Sequence, residues 1–171
     1  MDPFAPQRSP DGLIEVRFDA YEARMSLWVL EPSVVRVRDG AVVMSLDGSA
    51  WDGGGIPPGW PAPDRVELHL RHYPDGARIY DLVVDVEAER CWLAGAEDGS
   101  VPAREAKRLL EPARQRHVER TAPSRVAEGF CPDCGAQLYG GGLLGRLRAP
   151  REVECLLCGR RWPVPRGARL F

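Results

Sequence analysis

The sequence predicts an α+β protein that is mostly β: an antiparallel β-sheet domain with one or two short helices, followed by a small C-terminal module built around cysteine. Three observations lead to this fold class. Short apolar segments recur between glycine-containing turns in the N-terminal part, one amphipathic segment follows them, and four of the five cysteines form two C-x-x-C pairs near the C-terminus. A chain of 171 residues with 44% apolar composition has room for one ordinary domain and one small domain.

The predicted strands are short apolar segments bounded by turn residues. They cover residues 13–18, 25–30, 34–37, 42–46, 66–73, 79–86 and 92–94. Three turns, Arg38-Asp39-Gly40, Pro74-Asp75-Gly76 and Asp98-Gly99, contain the glycine with positive φ that a tight turn needs. We therefore expect neighbouring strands to pair antiparallel.

The best-patterned hairpin flanks Pro74-Asp75-Gly76, and one of its faces is apolar. That face carries Val66, Leu68 and Leu70 on one strand and Tyr80, Leu82, Val84 and Val86 on the other. Residues 25–30 are apolar on both parities, which predicts a central strand covered on both sides. Residues 52–64 hold three consecutive glycines and four prolines, which predicts a loop without regular structure.

The helix and the domain boundaries follow from what comes next. Residues 102–111 have helical apolar spacing, and Pro112 is expected to end or kink this helix. Residues 113–127 lack an apolar stripe and are interpreted as a linker or a second solvated helix. The predicted organisation is a flexible tail (1–12), an acidic antiparallel β-rich domain with a C-terminal helix (13–112), a linker (113–127) and a basic cysteine-containing domain (128–171).

Charge is distributed unevenly along the chain. Residues 1–101 carry 9 Arg against 18 Asp+Glu, whereas residues 102–171 carry 14 Lys+Arg against 7 Asp+Glu. The two parts could bind partners of opposite sign or could dock against each other. Only one of the 23 basic residues is Lys and Asn is absent, so part of the arginine content reflects genome composition.

The cellular compartment is predicted from the lack of a membrane span or leader-like segment in the sequence and from the paired cysteines. No run approaches the roughly 18 apolar residues of a membrane span, and the first residues do not combine a basic region with an apolar stretch. We expect a cytoplasmic protein. In a reducing compartment, paired cysteines indicate metal binding rather than disulfides. The fifth, Cys91, is expected to be a small buried apolar residue.

Two matching segments carry the metal prediction: Cys131-Pro132-Asp133-Cys134-Gly135 and Cys155-Leu156-Leu157-Cys158-Gly159. In a C-x-x-C turn both sulfurs can reach one ion at about 2.3 Å, and the following glycine permits a left-handed backbone. The four cysteines are thus predicted to bind one structural zinc ion in a closed site. Four thiolates would also accept iron, and a redox dithiol or metal-free thiols are the alternatives.

Residues 129–165 resemble the four-cysteine zinc-ribbon family, with rubredoxin-like knuckles. The segments 136–140, 152–154 and 160–164 can make the small antiparallel sheet of such a ribbon. In the N-terminal part, Glu22-Ala23-Arg24-Met25-Ser26 through Leu46, Gly48 and Trp51-Asp52, then Tyr73-Pro74-Asp75-Gly76, is similar to small uncharacterised bacterial β-rich proteins. Some of these are immunity proteins, which implies a bacterial protein-binding domain.

The predicted partner-binding surface is basic and lies on the ribbon. The segment 139–151 mixes leucine and arginine, and more arginines follow the second knuckle. Arginines can contact phosphates and aromatic rings can stack on bases, so single-stranded nucleic acid is one predicted partner. The candidate residues are Tyr139, Arg146, Arg148, Arg160, Arg161 and Trp162. The alternative is that the leucines pack on the N-terminal domain and that Trp162 fills the core of the ribbon.

Catalytic candidates are weak elsewhere, so we expect a protein that is not an enzyme. His69 and His72 are predicted on opposite strand faces, and no hydrolase, phosphate-loop or dinucleotide motif is present. Two functional hypotheses remain. The first is a non-enzymatic zinc-binding adaptor whose basic ribbon contacts nucleic acid or a nucleic-acid-associated protein. The second is an acidic β domain that binds and neutralises a basic protein, with the ribbon as a structural appendage.

Overall fold

A computed structural model of the chain describes residues 5–24, 27–74, 78–139, 151–168 and 170. The chain divides into two compact units, Met1–Pro112 and Ala113–Phe171. Every strand pairing in the described residues is antiparallel, and one α-helix accompanies the strands. The predicted mostly-β fold class, with a small cysteine-containing terminal module, is confirmed.

The first sheet of the N-terminal unit has the order β1-β2-β3-β4. Its strands are β1 (Gln7–Arg8), β2 (Ile14–Arg24), β3 (Leu27–Arg36) and β4 (Ala41–Ser45). Strand β3 joins two segments that were predicted as separate strands, and it runs through Pro32. The Pro32 carbonyl accepts a hydrogen bond from the Leu46 amide, just beyond the residues of β3 that pair with β4. Because the nitrogen and the carbonyl of one strand residue point to the same side, the Pro32 nitrogen faces β4 and not β2. Pairing with β2 is therefore undisturbed.

The segment predicted as a tail, residues 1–12, contains a short strand. Gln7 and Arg8 pair with Val16 and Glu15 of β2. The Arg8 guanidinium also lies 2.6 Å from the buried carboxylate of Glu15. A strand of two polar residues has no apolar alternation, so the sequence pattern could not reveal it.

The second sheet of this unit has the order β10-β9-β8-β7-β5, and β6 also pairs with β7. Its strands are β5 (Trp51–Asp52), β6 (Gly59–Ala62), β7 (Arg65–His72), β8 (Tyr80–Asp85), β9 (Arg90–Leu93) and β10 (Val101–Pro102). The register pairs Val66 with Val84 and Leu68 with Leu82, as the predicted apolar face requires. The predicted turn glycine of this hairpin, Gly76, lies outside the described residues.

Two predictions about connecting segments need correction. The proline-rich segment 52–64 contains a strand, β6, in which Gly59 pairs with Glu67 and Ala62 with Arg65. Pro61 is accommodated because it lies at the irregular part of this edge pairing. Gly40 has the predicted positive φ of 70°. Gly99 instead ends a 3-10 turn, Glu97–Gly99, and the positive φ falls on Gly95.

The N-terminal unit has an extended apolar core. Residues 29–35 of β3 are all buried, which places the predicted central strand a few residues later than expected. Leu27 and Trp28 are about half exposed, at 50% and 46%. Trp51 is fully buried, its ring meets Tyr80 edge-on at 5.2 Å, and its indole nitrogen donates to Glu111 at 3.0 Å. Large side chains without solvent contact therefore hold both sheets of this unit.

The α-helix differs most from its prediction. Helix α1 spans Lys107–Ala127 and continues through Pro112, where the sequence predicted an end or a kink, and a 3-10 turn, Ala103–Glu105, precedes it. Its buried positions are Leu110, Val118 and Val126, eight residues apart. Such sparse burial produces no visible apolar stripe, which is why residues 113–127 did not read as a packed helix. Packing on both sides of Pro112 outweighs the one backbone hydrogen bond that proline removes.

Candidate metal centre and basic surface

The two C-x-x-C segments form two turns with the same backbone pattern. In the first, the Cys131 amide donates to the Ala136 carbonyl and the Gly135 amide donates to the Cys131 carbonyl. In the second, the Cys155 amide donates to Arg160 and the Gly159 amide to Cys155 in the same way. Gly135 and Gly159 have φ of 71° and 70°, as predicted from their position after each pair.

Short strands hold the two turns in one small unit. Strand β11 (Glu152–Glu154) pairs with β12 (Arg161–Pro163), so the second turn closes a hairpin. The first turn follows α1 directly and is closed by an isolated bridge between Phe130 and Gln137. Segments 152–154 and 160–164 were predicted to be strands, whereas segment 136–140 contributes only this bridge in its described part.

The four cysteine sulfurs converge. Their Sγ atoms all lie within 4.8 Å of one another, with 3.7 Å between Cys131 and Cys158 and 3.4 Å between Cys134 and Cys155. Bonds of about 2.3 Å from one tetrahedral ion would place the sulfurs about 3.8 Å apart. The cluster could therefore hold one metal ion, and it would fill all four positions.

Burial and amide hydrogen bonds act in opposite directions on these thiols. Burial raises the pKa of the Cys134 thiol well above its ordinary value. At Cys155 burial also acts to raise the pKa, but amide hydrogen bonds from Cys158 and Leu157 outweigh it and hold the pKa below its ordinary value. Amides directed at a sulfur favour the thiolate, which is the form that binds metal.

The sulfurs also make up much of the core of this unit. Its buried cluster consists of Val126, Cys131, Cys134, Leu138, Val153 and Cys155. Cys158 is exposed, next to Leu156 and Leu157, whose side chains are 83% and 51% exposed. A core of this size buries little apolar surface, so a metal ion held by the four cysteines would add substantially to its stability.

An ion-pair network ties the helix to both turns. The Arg114 guanidinium donates to the Asp133 carboxylate at 2.5 Å and to the Asp133 carbonyl at 3.2 Å. Arg160, which follows the second turn, lies 3.3 Å from the same carboxylate. The side chains of Arg114 and Asp133 are only 12% and 16% exposed, so this pair is shielded from water and salt. The sequence did not single out either residue.

Two of the predicted partner-binding arginines are already paired. Arg160 contacts Asp133 and lies 5.7 Å from the ring centre of Trp162, and Arg161 lies 2.9 Å from Glu154. These pairs reduce the positive charge available to a partner. Arg146 and Arg148 lie outside the described residues. The described part of the predicted surface therefore has less free positive charge than its two arginines indicate.

The predicted aromatic residues have different environments. Tyr139 is 52% exposed, and its hydroxyl donates to Gln137. Trp162 is half-buried against the cysteine-containing core. Its indole N–H is out of contact with solvent and has no hydrogen-bond partner among the described residues. Trp162 thus contributes to the core of this unit, as the alternative interpretation expected.

Other exposed arginines of this unit have no carboxylate partner in the described part of the chain, and two of them lie outside the surface that the sequence predicted. Arg116, Arg120, Arg151 and Arg166 are exposed and have no carboxylate partner among the described residues. Arg116 and Arg120 are on helix α1, in the segment that was interpreted as a linker or a second solvated helix, and Arg120 also lies 3.5 Å from His117 Nδ1. Because that segment was placed outside the ribbon, the sequence did not group these arginines with it.

The weak catalytic candidates of the N-terminal unit have structural partners. His69 Nδ1 lies 2.7 Å from Asp81 Oδ1, directly across the β7–β8 pair. His72 packs edge-on against Trp51 at 5.1 Å. Cys91 is fully buried, and burial raises its pKa to about 11. A thiol with this pKa is protonated at neutral pH and is a poor nucleophile.

Comparisons with known proteins found similarity for only part of the chain. No protein-family model matches it, and no solved structure matches it. A segment of 81 residues is 36% identical to the methionine–tRNA ligase of Methanopyrus kandleri strain AV19. This match covers 44% of the chain, and the chain spans 12% of the length of that ligase. The likeness therefore concerns a segment and does not assign the chain to a family.

In the described ranges of the chain, no helix is both long enough and apolar enough to cross a bilayer.

Proposed function

We propose that this chain is a non-enzymatic adaptor whose C-terminal unit, organised by one structural zinc ion, contacts nucleic acid. The observation that supports the proposal is the combination of four converging thiols with four exposed arginines on the same unit, none of which has a carboxylate partner among the described residues. A rigid basic surface is the usual electrostatic requirement for phosphate binding.

Zinc is the metal that suits this centre best. Cys131, Cys134, Cys155 and Cys158 would hold it, and zinc prefers four-coordinate tetrahedral thiolate sites of this spacing. With every position filled by protein, the ion has no place for water or substrate. Its role is then to supply the core that this unit is too small to build from apolar side chains.

The charge balance supports a polyanionic partner. Residues 102–171 carry 14 Lys+Arg and 7 Asp+Glu, and a zinc ion with four thiolates adds about two negative charges. The balance stays positive, and Arg116, Arg151 and Arg166 contribute exposed charge that has no carboxylate partner among the described residues. The partial likeness to a methionine–tRNA ligase segment, an enzyme named for a nucleic-acid substrate, supports the same class of partner.

Salt dependence of binding tests this proposal. Fluorescence anisotropy of the zinc-loaded chain with a labelled single-stranded RNA should give an affinity that falls linearly with salt on a log-log plot. Joint replacement of Arg116, Arg120, Arg151 and Arg166 by Ala should flatten that slope. The Arg160→Ala, Arg161→Ala double variant is the matched control, and it should change the slope less because both arginines are already paired. If no RNA or DNA binds even at low salt, the proposal is wrong.

A cavity on the N-terminal unit favours a second candidate function, binding of a basic protein. The cavity has a volume of about 510 Å³, and Glu67, Glu97 and Asp98 lie on its wall. The one cation in its lining, Arg65, lies 5.3 Å from the ring centre of Trp92 and is paired with Asp85 and Glu97. If this site takes basic side chains, Glu67→Gln should weaken binding of an arginine-rich peptide to the full chain, as measured by calorimetry. Unchanged affinity would count against this candidate.

A further inference from the structure

The C-terminal unit contains an apolar groove that the proposed phosphate contacts do not use. It has a volume of about 340 Å³ and lies between the last turns of α1 and the segment that begins with β12. Its lining is almost entirely apolar: Ala122, Pro123, Val126, Trp162, Pro163, Val164 and Pro165, with Glu119 as the one charged residue. Proline rings and an indole present flat or rigid apolar surfaces.

Exposed arginines neighbour groove residues along the chain on both of the elements that form this groove. Arg166 directly follows the groove residue Pro165, and the Arg151 carbonyl accepts a hydrogen bond from the groove residue Val164. On the helix, Arg116 and Arg120 precede the groove residues Glu119 and Pro123 by one turn each. An apolar groove with cations on both sides is complementary to a ligand with a flat apolar part and regularly spaced negative charges.

We propose that this groove takes unpaired nucleobases of single-stranded RNA or DNA, while the four bordering arginines contact the flanking phosphates. This inference rests on the proposed function and makes it specific for single strands. A duplex keeps its bases stacked inside, so it could meet the arginines but could not fill the groove. Stacking of a base on an aromatic ring contributes about 1–3 kcal/mol and tolerates any sequence.

The single carboxylate adds a preference among bases. One oxygen of Glu119 accepts a hydrogen bond from the Gln115 amide at 2.8 Å, at the exposed edge of the helix. The other oxygen can accept from an exocyclic amino group, which adenine, cytosine and guanine have and uracil lacks. Glu119 would also repel a phosphate, so it orients the base and not the backbone towards the groove.

Abasic strands separate the two contributions. Single strands of about ten nucleotides fit the site size of small binding modules, and a matched abasic strand has the same phosphates without bases. Anisotropy with the full zinc-loaded chain should show the normal DNA strand binding at least tenfold tighter than its abasic counterpart. Salt-dependent binding of the abasic strand reports on the proposed function alone, so the two proposals fail separately.

A neutral variant in the groove provides the decisive comparison. Ala122→Gln fills the groove without adding charge, and it should reduce affinity for the normal strand about tenfold while leaving the abasic strand unchanged. Ser124→Gln is the matched control, because it is exposed and lies about 200° around the helix from Ala122. It should change neither affinity by more than twofold. Circular dichroism and zinc content should be the same in both variants.

Other outcomes would overturn the inference. Equal affinity for normal and abasic strands would show that only phosphates are bound. An Ala122→Gln variant that binds the normal strand as tightly as the unmodified chain would exclude the groove. Sedimentation that shows a dimer in the unmodified chain and a monomer in Ala122→Gln would identify a second copy as the occupant. Base-independent competition by an acidic leucine-rich peptide would identify a protein segment instead.

Discussion

The two units of this chain differ in what forms their cores. The N-terminal unit buries large apolar side chains in both of its sheets, among them Trp51, Leu70 and Leu82. The C-terminal unit buries six residues in its main cluster, and three of those are cysteines whose sulfurs face one another. Apolar burial can hold the first unit without a ligand, whereas the second has its most buried positions occupied by potential metal ligands. The chain therefore combines a unit with an extended apolar core and a unit whose core includes three of the four cysteines that could hold a metal ion.

Replacement of one of the four clustered cysteines should have the largest effect, and it should affect the two units differently. Cys155→Ser should unfold the C-terminal unit, because metal binding and folding are coupled in a site with so small a core. The N-terminal unit should keep its structure. Two-dimensional NMR of labelled protein measures both responses in one sample.

The chain offers a matched control for this substitution. Cys91 is also fully buried but belongs to the N-terminal unit. Cys91→Ser should destabilise that unit by about 1–2 kcal/mol through an added buried hydroxyl, and it should leave zinc content unchanged. If Cys155→Ser also unfolds the N-terminal unit, the two cores are not independent.

The N-terminal unit depends on one buried carboxylate as well as on apolar packing. Glu31 is 2% exposed and accepts backbone hydrogen bonds from Gly48, Ser49 and Ala50, at 2.6, 2.8 and 2.5 Å. These bonds hold the turn in which Ala50 has a positive φ of 58°. Glu31→Ala should reduce the free energy of unfolding of this unit by about 2–4 kcal/mol, since three amides lose their acceptor.

Urea denaturation followed by tryptophan fluorescence would measure this loss. The exposed pair of Arg38 and Glu87 serves as comparison, and Glu87→Ala should cost less than about 1 kcal/mol. Similar effects of the two variants would show that the Glu31 contacts contribute little.

A smaller effect should appear in the pH dependence of the same unit. Arg17 and Arg8 hold the pKa of the nearly buried Glu15 carboxyl below its ordinary value of 4.5. A lowered pKa in the folded state gives stability that is present above the ordinary pKa and is lost as pH falls through the folded-state pKa. The stability difference between the unmodified chain and Glu15→Gln should therefore be about 1 kcal/mol near neutral pH and should shrink in acid.

The readout for this prediction must report on the N-terminal unit alone, because acid also protonates metal-binding thiolates. NMR signals of the buried Val16 and Val34 methyl groups meet that condition. A stability difference that stays constant between neutral and acidic pH would contradict the role given to the ion pairs.

The sequence correctly predicted structural features that follow from a regular residue pattern. The alternation of Val66, Leu68 and Leu70 gave the correct face of β7, and the glycines after each cysteine pair gave the correct backbone at Gly135 and Gly159. Helix α1 was cut short because its buried residues are too far apart to form a stripe. Strand β6 was missed because prolines and glycines hide an edge pairing.

The sequence predicted the cysteine cluster well, but it did not predict which arginines of the surface are free of ion pairs. Convergence of the four sulfurs follows from local spacing, which the sequence displays directly. Which arginines are free depends on tertiary pairing. Arg161 is paired to Glu154 across two strands, whereas Arg116 has no carboxylate partner among the described residues and lies on a segment for which the sequence left a linker and a helix both open. Glu31 was missed for the same reason, because its three amide partners lie well beyond it in the chain.

Native mass spectrometry of the freshly purified, untagged chain shows directly whether the four cysteines bind zinc. We expect one zinc ion per chain, four cysteines protected from alkylation until the metal is removed, and unfolding of the C-terminal unit when a chelator removes it. A metal-free chain whose C-terminal unit stays folded in fully reduced protein would show that the unit does not need the metal. A Cys131–Cys134 disulfide in freshly reduced protein together with sub-stoichiometric zinc would contradict zinc binding by the four cysteines.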